Sequence, residues 1–179
     1  MNCPICQKKT IQKEIAPKLK TRVCEEHGMW IPALNYWRWI AMQNISYPPA
    51  IKEGTFEAGE LDSKGGKVCT DCSQVLQRYA VGHGVKFHVD QCSKCMSIWL
   101  DSGEWEALNE KNLHSAIHFM FSESWQNRAQ KERAKTQYES LLRNKLGDVL
   151  FEKVNEFKKS LADHDEYNLI LTYLRNDHE

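Results

Sequence analysis

Cys69-Thr70-Asp71-Cys72, nineteen residues, then Cys92-Ser93-Lys94-Cys95 and, close behind, Trp99-Leu100-Asp101-Ser102-Gly103-Glu104: this stretch decides how the chain is read. A gap of two residues between ligands lets one tight turn aim both side chains at a single ion. Two such knuckles, brought together by a hairpin, complete the tetrahedron that Zn²⁺ accepts. Working outward, the same unit occurs once more. Cys3-Pro4-Ile5-Cys6 is followed by seventeen residues and then by Cys24-Glu25-Glu26-His27. Each last pair is followed by a tryptophan, Trp30 or Trp99, and then by a helical pattern. Cys3, Cys6, Cys24 and His27 therefore form one expected zinc site, and Cys69, Cys72, Cys92 and Cys95 the other. All seven cysteines are used, with none left over. Because four protein ligands fill each site, the expected role of both ions is structural, not catalytic.

Between the paired ligands both copies read as hairpins. In the second, 75–81 and 85–89 flank Gly82-His83-Gly84, with Val85, Phe87 and Val89 alternating with polar neighbours. In the first, 10–15 and 19–23 flank Ala16-Pro17-Lys18. Asp101 and Glu104 have the spacing of a capping box for a helix whose apolar edge is Trp105 and Leu108. Pro32 suits the first turn of a helix over 33–43. The expected fold is small α+β: two tandem zinc ribbons, each a β-hairpin plus a short helix, followed by an α-helical C-terminal region. The boundaries are 1–45 for the first ribbon, 46–66 for a Gly/Pro-rich linker, 67–112 for the second ribbon and 113–179 for the helices. A flexible linker implies ribbons that fold, and hold metal, independently.

The Cys-x2-Cys pairs and the string from Trp99 to Glu104 resemble the TFIIB-type zinc-ribbon family of bacterial proteins. Residues 69–106 carry the likeness, and residues 3–31 are a diverged copy with His27 in place of a cysteine and Gly28 retained. The family usually has glycine directly after the final cysteine, where this chain has Met96. The resemblance implies zinc binding and an interaction role, and supplies no substrate.

Formal net charge is zero, distributed as +3 over 1–67, −2 over 68–111 and −1 over 112–179. Seven thiolates and two Zn²⁺ would bring the whole to about −3, unlike a globally basic nucleic-acid binder. The basic residues Lys8, Lys9, Lys13, Lys18, Lys20 and Arg22 nonetheless fall within one hairpin and could meet phosphates. Trp37 and Trp39 are 200° apart on a helix (two steps of about 100°), so one core cannot bury both: either the helix is buried on all sides or a tryptophan is exposed as an interface anchor, with Trp39 the residue expected to hold a partner. His114 and His118, four residues apart, could share a helical face with Glu110 as a third metal site, but read better as a hydrated helix surface. His83 and His88 read as exposed, and Glu57, Glu60, Asp62 and Lys64 as solvated linker residues. No nucleophile–base constellation, phosphate loop or dinucleotide fingerprint appears, so no enzyme is expected.

Three functions follow: a protein-interaction adaptor that docks through a Trp/Tyr surface near residues 36–39 and the helical tail first, a nucleic-acid-binding or transcription-associated factor using the basic first ribbon second, and a thiol redox or chaperone protein using the Cys-x2-Cys pairs third. No βαβ pattern surrounds Cys3-Pro4-Ile5-Cys6, which weighs against the third. No apolar run is long enough to span a bilayer. Met1-Asn2-Cys3-Pro4 leads into no apolar core of a secretory leader, so the expected location is the cytoplasm, where reduced thiols favour metal over disulfide.

Overall fold

The computed structural model describes residues 1–43, 62–162 and 164–176. Most of the expected linker, together with Glu57 and Glu60, lies outside them. Among the described residues the chain is α+β, with a six-stranded antiparallel sheet and six α-helices. It divides into two compact units, Met1–Glu132 and Arg133–Glu179.

The first unit holds the sheet. Its strands are β1 (Ile11–Ala16), β2 (Leu19–Cys24), β3 (Gly28–Ile31), β4 (Leu76–Gly82), β5 (Val85–Cys92) and β6 (Ile98–Asp101). Both hairpins stand where the alternation places them. The short strands β3 and β6 were not expected, and they decide the architecture. The strand order is β1-β2-β3-β6-β5-β4, so the two halves join edge to edge through an antiparallel β3–β6 ladder. The expectation of independently folding ribbons is thereby corrected: both hairpins belong to one sheet.

The register at the seam is Met29 opposite Leu100, Trp30 opposite Trp99 and Ile31 opposite Ile98. Taking Trp30 and Trp99 as equivalent, the pair Met29–Leu100 maps onto Ile98–Ile31. An approximate twofold axis therefore passes through the tryptophan pair, and the sequence repeat becomes a structural symmetry.

Side chains alternate across the sheet. On one face Met29, Ile31, Ile98 and Leu100 join Leu19, Val81, Phe87 and Val89 in the main core. This face is covered by α1 (Ala33–Met42), α2 (Glu104–Glu110) and the turn leading through α3 (Ile117–Met120), which contribute Tyr36, Trp39, Leu108, Leu113, Ile117 and Met120. Each large side chain of this kind stabilises the fold by about 1.5–3 kcal/mol on burial. On the other face Trp30 and Trp99 pack with Leu76, Cys3, Cys24, Cys69 and Cys92. Cysteines from both halves thus share one small core.

The open edge of β4 is covered by the first half of α4 (Glu123–Leu146). Gln126 bonds both the N–H and the carbonyl of Ala80, and the Trp125 indole donates to the Val81 carbonyl at 2.8 Å. These side chains satisfy backbone groups that would otherwise template another strand.

The second unit contains the rest of α4, then α5 (Asp148–Ser160) and α6 (Tyr167–Asn176). Gly147, at φ +75°, ends α4 and starts α5. Arg143 clamps this reversal by bonding Asp148 at 2.9 Å and Glu152 at 2.6 Å and lying 4.4 Å above the Phe151 ring. No described helix is long and apolar enough to cross a membrane.

Candidate metal centres

Cys3, Cys6, Cys24 and His27 converge so that one donor atom from each lies within 4.8 Å of the others, and Cys69, Cys72, Cys92 and Cys95 do the same. In the first set Cys6 Sγ is 3.8 Å from Cys24 Sγ, which is 3.6 Å from His27 Nδ1. In the second, Cys72 Sγ is 3.4 Å from Cys69 Sγ and 3.3 Å from Cys92 Sγ, and Cys69 is 3.5 Å from Cys95. A tetrahedral zinc with bonds of about 2.3 Å requires sulfur–sulfur edges of about 3.8 Å. A disulfide requires about 2.05 Å, and all seven cysteines are free. The two donor sets therefore fit zinc.

Three of the four knuckles are built by the same local device. The carbonyl of the first cysteine accepts the N–H four residues on: Gln7 on Cys3, Ser73 on Cys69 and Met96 on Cys92, at 2.9–3.0 Å. The accepted residue then turns into the left-handed region, with φ of 59° at Gln7, 57° at Ser73 and 59° at Met96. Methionine thus adopts the conformation that glycine usually supplies after the last cysteine, with its side chain in solvent. In the fourth knuckle the equivalent residue is Gly28, at φ +133°, and here no side chain fits. A Cβ would stand 2.1 Å from the Leu100 carbonyl oxygen and 2.8 Å from Asp101 Cα, because β6 lies directly against it. Gly28 is the price of the seam.

Hydrogen bonds also cross between the halves at the knuckles. Asp71, inside the 69–72 knuckle, accepts the Trp30 indole N–H at 3.1 Å and faces Arg22 at 3.4 Å. The carbonyl of the ligand His27 accepts the Ser102 N–H at 3.1 Å. Each donor set is therefore tied to the opposite half. Burial pushes the Cys3 thiol up to about 11 and raises Cys69 further. On the open side the Lys8 N–H lowers Cys6. Metal uptake must displace protons from the buried thiols.

The string that follows the second set forms a buried polar centre. Trp99 donates its indole N–H to Asp101 Oδ1 at 2.6 Å, and Asp101 Oδ2 accepts from the Ser63 N–H and hydroxyl and from Lys67 Nζ. Lys67 also bonds Asp90. Occupied in this way, the Asp101 side chain does not cap α2. The helix starts at Gly103 without a side-chain cap, which corrects half of the expected capping box. The other half forms, since Glu104 Oε2 accepts the Asp101 N–H at 2.8 Å. Burial, and then the Asp101 carboxylate, raise the Glu104 carboxyl to about 9. Asp62, Asp101 and Glu104 also lie within 4.8 Å of one another, but the Lys67 ammonium already sits 3.0 Å from Asp101. Asp62 is no solvated acid either: it bonds the His88 N–H at 2.9 Å and lies 2.7 Å from its ring, so His88 is half-buried.

The remaining histidines correct their expected exposure in the same way. His83 packs edge-on against Trp125 at 4.9 Å. His118 sits 3.0 Å from the Tyr36 hydroxyl and 5.1 Å from the Trp37 ring, and His114 lies between Trp39 and Trp105. Burial lowers the pKa of His83, His114 and His118. The expected anchor is corrected: Trp39 is core, at 2% exposure, packed with Tyr36 and Trp105, and the tryptophan left 49% exposed is Trp37.

The basic residues of the first hairpin do not converge on one face. Lys8 pairs with Glu26 and Arg22 with Asp71, and Lys20 stands opposite Glu14 across the strands. Lys13, opposite Thr21, projects to the other side of the sheet, and Lys18 lies in the turn, where its N–H bonds Glu14. Lys9 is exposed just before β1.

Residues 68–111 match the family model of the transcription factor zinc-finger, the TFIIB-type zinc ribbon. No curated protein and no solved structure matches the chain. The second half of the sheet is thus a TFIIB-type ribbon with its four-cysteine cluster, and the first half carries a second donor set of the same local design.

Proposed function

We propose that the chain is a non-enzymatic adaptor of the cytoplasm, holding two structural zinc ions and binding a protein partner through the outer face of α1. The observation that carries this reading is Trp37. It stands half-exposed on α1 with its ring fixed against Tyr36 at 5.7 Å and His118 at 5.1 Å. Leu34, three residues earlier, is 59% exposed, and Met42 at the end of the helix 52%. A tryptophan whose rotamer is already held loses little freedom on binding, and rimmed by apolar neighbours it makes an effective anchor. All four ligand positions at each zinc are protein groups, so neither ion has a position for substrate.

The reading in which the first hairpin grips nucleic acid is less well supported, because carboxylates face two of its six basic residues directly and a third lies on the opposite face. The thiol redox reading is likewise weaker, since each Cys-x2-Cys pair is half of a four-donor set.

The test compares wild type with Trp37→Ala, at equal zinc content, for proteins retained from a native lysate and for anisotropy with labelled DNA and RNA. The expected result is a retained protein that the variant loses. Nucleic-acid binding should be weak, in the range of about 10⁻⁴–10⁻⁶ M typical of nonspecific contacts at physiological salt. Tighter, salt-steep nucleic-acid binding that Trp37→Ala leaves intact would overturn the adaptor reading in favour of the nucleic-acid one.

A further inference from the structure

The helical unit over 133–179 exposes more large apolar side chains than it buries. Phe151 and Leu161 are buried, whereas Tyr138, Leu141, Leu146, Val149, Leu150, Val154, Phe157, Tyr167, Leu169, Tyr173 and Leu174 are between 38% and 74% exposed. A helical unit of this size with so small a core falls short of what independent stability needs. From these exposures we propose that the chain forms a homodimer in which the apolar faces of α5 and the second half of α4 close against the same faces of a second copy.

Three observations select a second copy as the occupant. The first is area. At the exposures shown, and with about 150–200 Å² per large side chain, the seven apolar side chains of α5 and the second half of α4 offer on the order of 600 Å², comparable to the apolar share, about 56–65%, of the roughly 800 Å² that each partner of a stable interface buries. The second is pattern. Leu150, Val154, Phe157 and Leu161 recur at intervals of four, three and four residues. This is the spacing of a d-a-d-a seam, and its first pair, Leu150 at d with the β-branched Val154 at a, is the combination that favours two strands; Phe157 and Leu161 continue the apolar seam. Leu161 already packs within its own unit and sets the end of the seam, while Leu150, Val154 and Phe157 remain available. The third is charge. Residues 133–179 carry eight Lys/Arg and nine Asp/Glu, so two copies meet without net repulsion. A C2 arrangement satisfies both surfaces at once and leaves no open end for further growth.

The experiment is sedimentation equilibrium of the zinc-loaded full-length chain from about 1 to 100 μM. Wild type should show twice the 20.9 kDa chain mass, with a dissociation constant in the low micromolar range or tighter. Val154→Lys combined with Phe157→Lys should give monomer across the range, with unchanged zinc content and helical circular dichroism. Tyr138→Glu combined with Leu141→Glu on α4 carries the same expectation and decides if the first variant fails to fold. A wild type that stays monomeric at 100 μM, or a folded variant of either kind that remains dimeric, would overturn the proposal.

Discussion

Replacing Gly28 by alanine adds one methyl group at the point where the two halves of the sheet meet. The added carbon would lie 2.1 Å from the Leu100 carbonyl oxygen and within 2.9 Å of two Asp101 backbone atoms. All three contacts are backbone, so no side chain can turn aside, and β3 and β6 must separate. The backbone there is at φ +133°, a conformation that L side chains rarely adopt. Overpacking of this kind costs about 1–3 kcal/mol and the disfavoured backbone about 1–2 kcal/mol. Together they amount to about 2–5 kcal/mol, a large share of a typical domain stability of about 5–15 kcal/mol. Gly147→Ala is the control, because its φ of +75° is also positive but nothing stands within 4 Å of the new carbon. It should cost about 1–3 kcal/mol, all of it from a backbone at φ 75° and ψ 157°. Urea unfolding of the zinc-loaded proteins, followed by tryptophan fluorescence, measures both, since Trp30 and Trp99 lie on the seam. A Gly28→Ala protein within about 1 kcal/mol of wild type, with both zinc ions in place, would refute the edge-to-edge arrangement.

Three further outcomes follow from particular side chains. Cys69→Ser should lower the zinc content at both sites, because Asp71 in that knuckle holds Trp30 of the other half; full retention of the first zinc, read by mass spectrometry, would contradict this. Trp39→Ala should cost about 3–5 kcal/mol as a core truncation, whereas Trp37→Ala should change unfolding free energy by less than about 1 kcal/mol. Glu104, with its carboxyl held up to about 9, stabilises the fold fully below its ordinary value of 4.5 and progressively less as pH rises toward 9. Glu104→Gln should therefore gain on wild type between pH 5 and pH 8, by at most about 1.4 kcal/mol per pH unit; a loss that grows with pH would show that the carboxylate is required.

Local features were legible in the chain because they depend on local rules. The two-residue gaps that bring four donors together and the alternation in Val85, Phe87 and Val89 stand where the sequence places them. The β3–β6 seam was not legible. Four residues on each side, Gly28–Ile31 and Ile98–Asp101, are too short to show a period, and their pairing is between segments some seventy residues apart. Gly28 carried the one signal, since a glycine retained where Met96 suffices marks a close approach by another backbone. Asp101 misled for a related reason: its spacing to Glu104 fits a helix cap, but Trp99, Ser63 and Lys67 claim its oxygens first. The histidines were read as hydrated because helix position alone cannot reveal the aromatic rings that Tyr36, Trp37, Trp39 and Trp105 bring from elsewhere.

Two zinc ions held by one sheet, as proposed, would leave the chain together, and native mass spectrometry during titration with a chelator measures this. The account predicts two zinc ions per chain at the start and a passage to the metal-free chain in which the one-zinc species stays minor, because each knuckle is bonded to the opposite half. A one-zinc species that dominates over a wide range of chelator would contradict the coupling, and a folded chain that carries no zinc at the start would contradict the metal centres themselves.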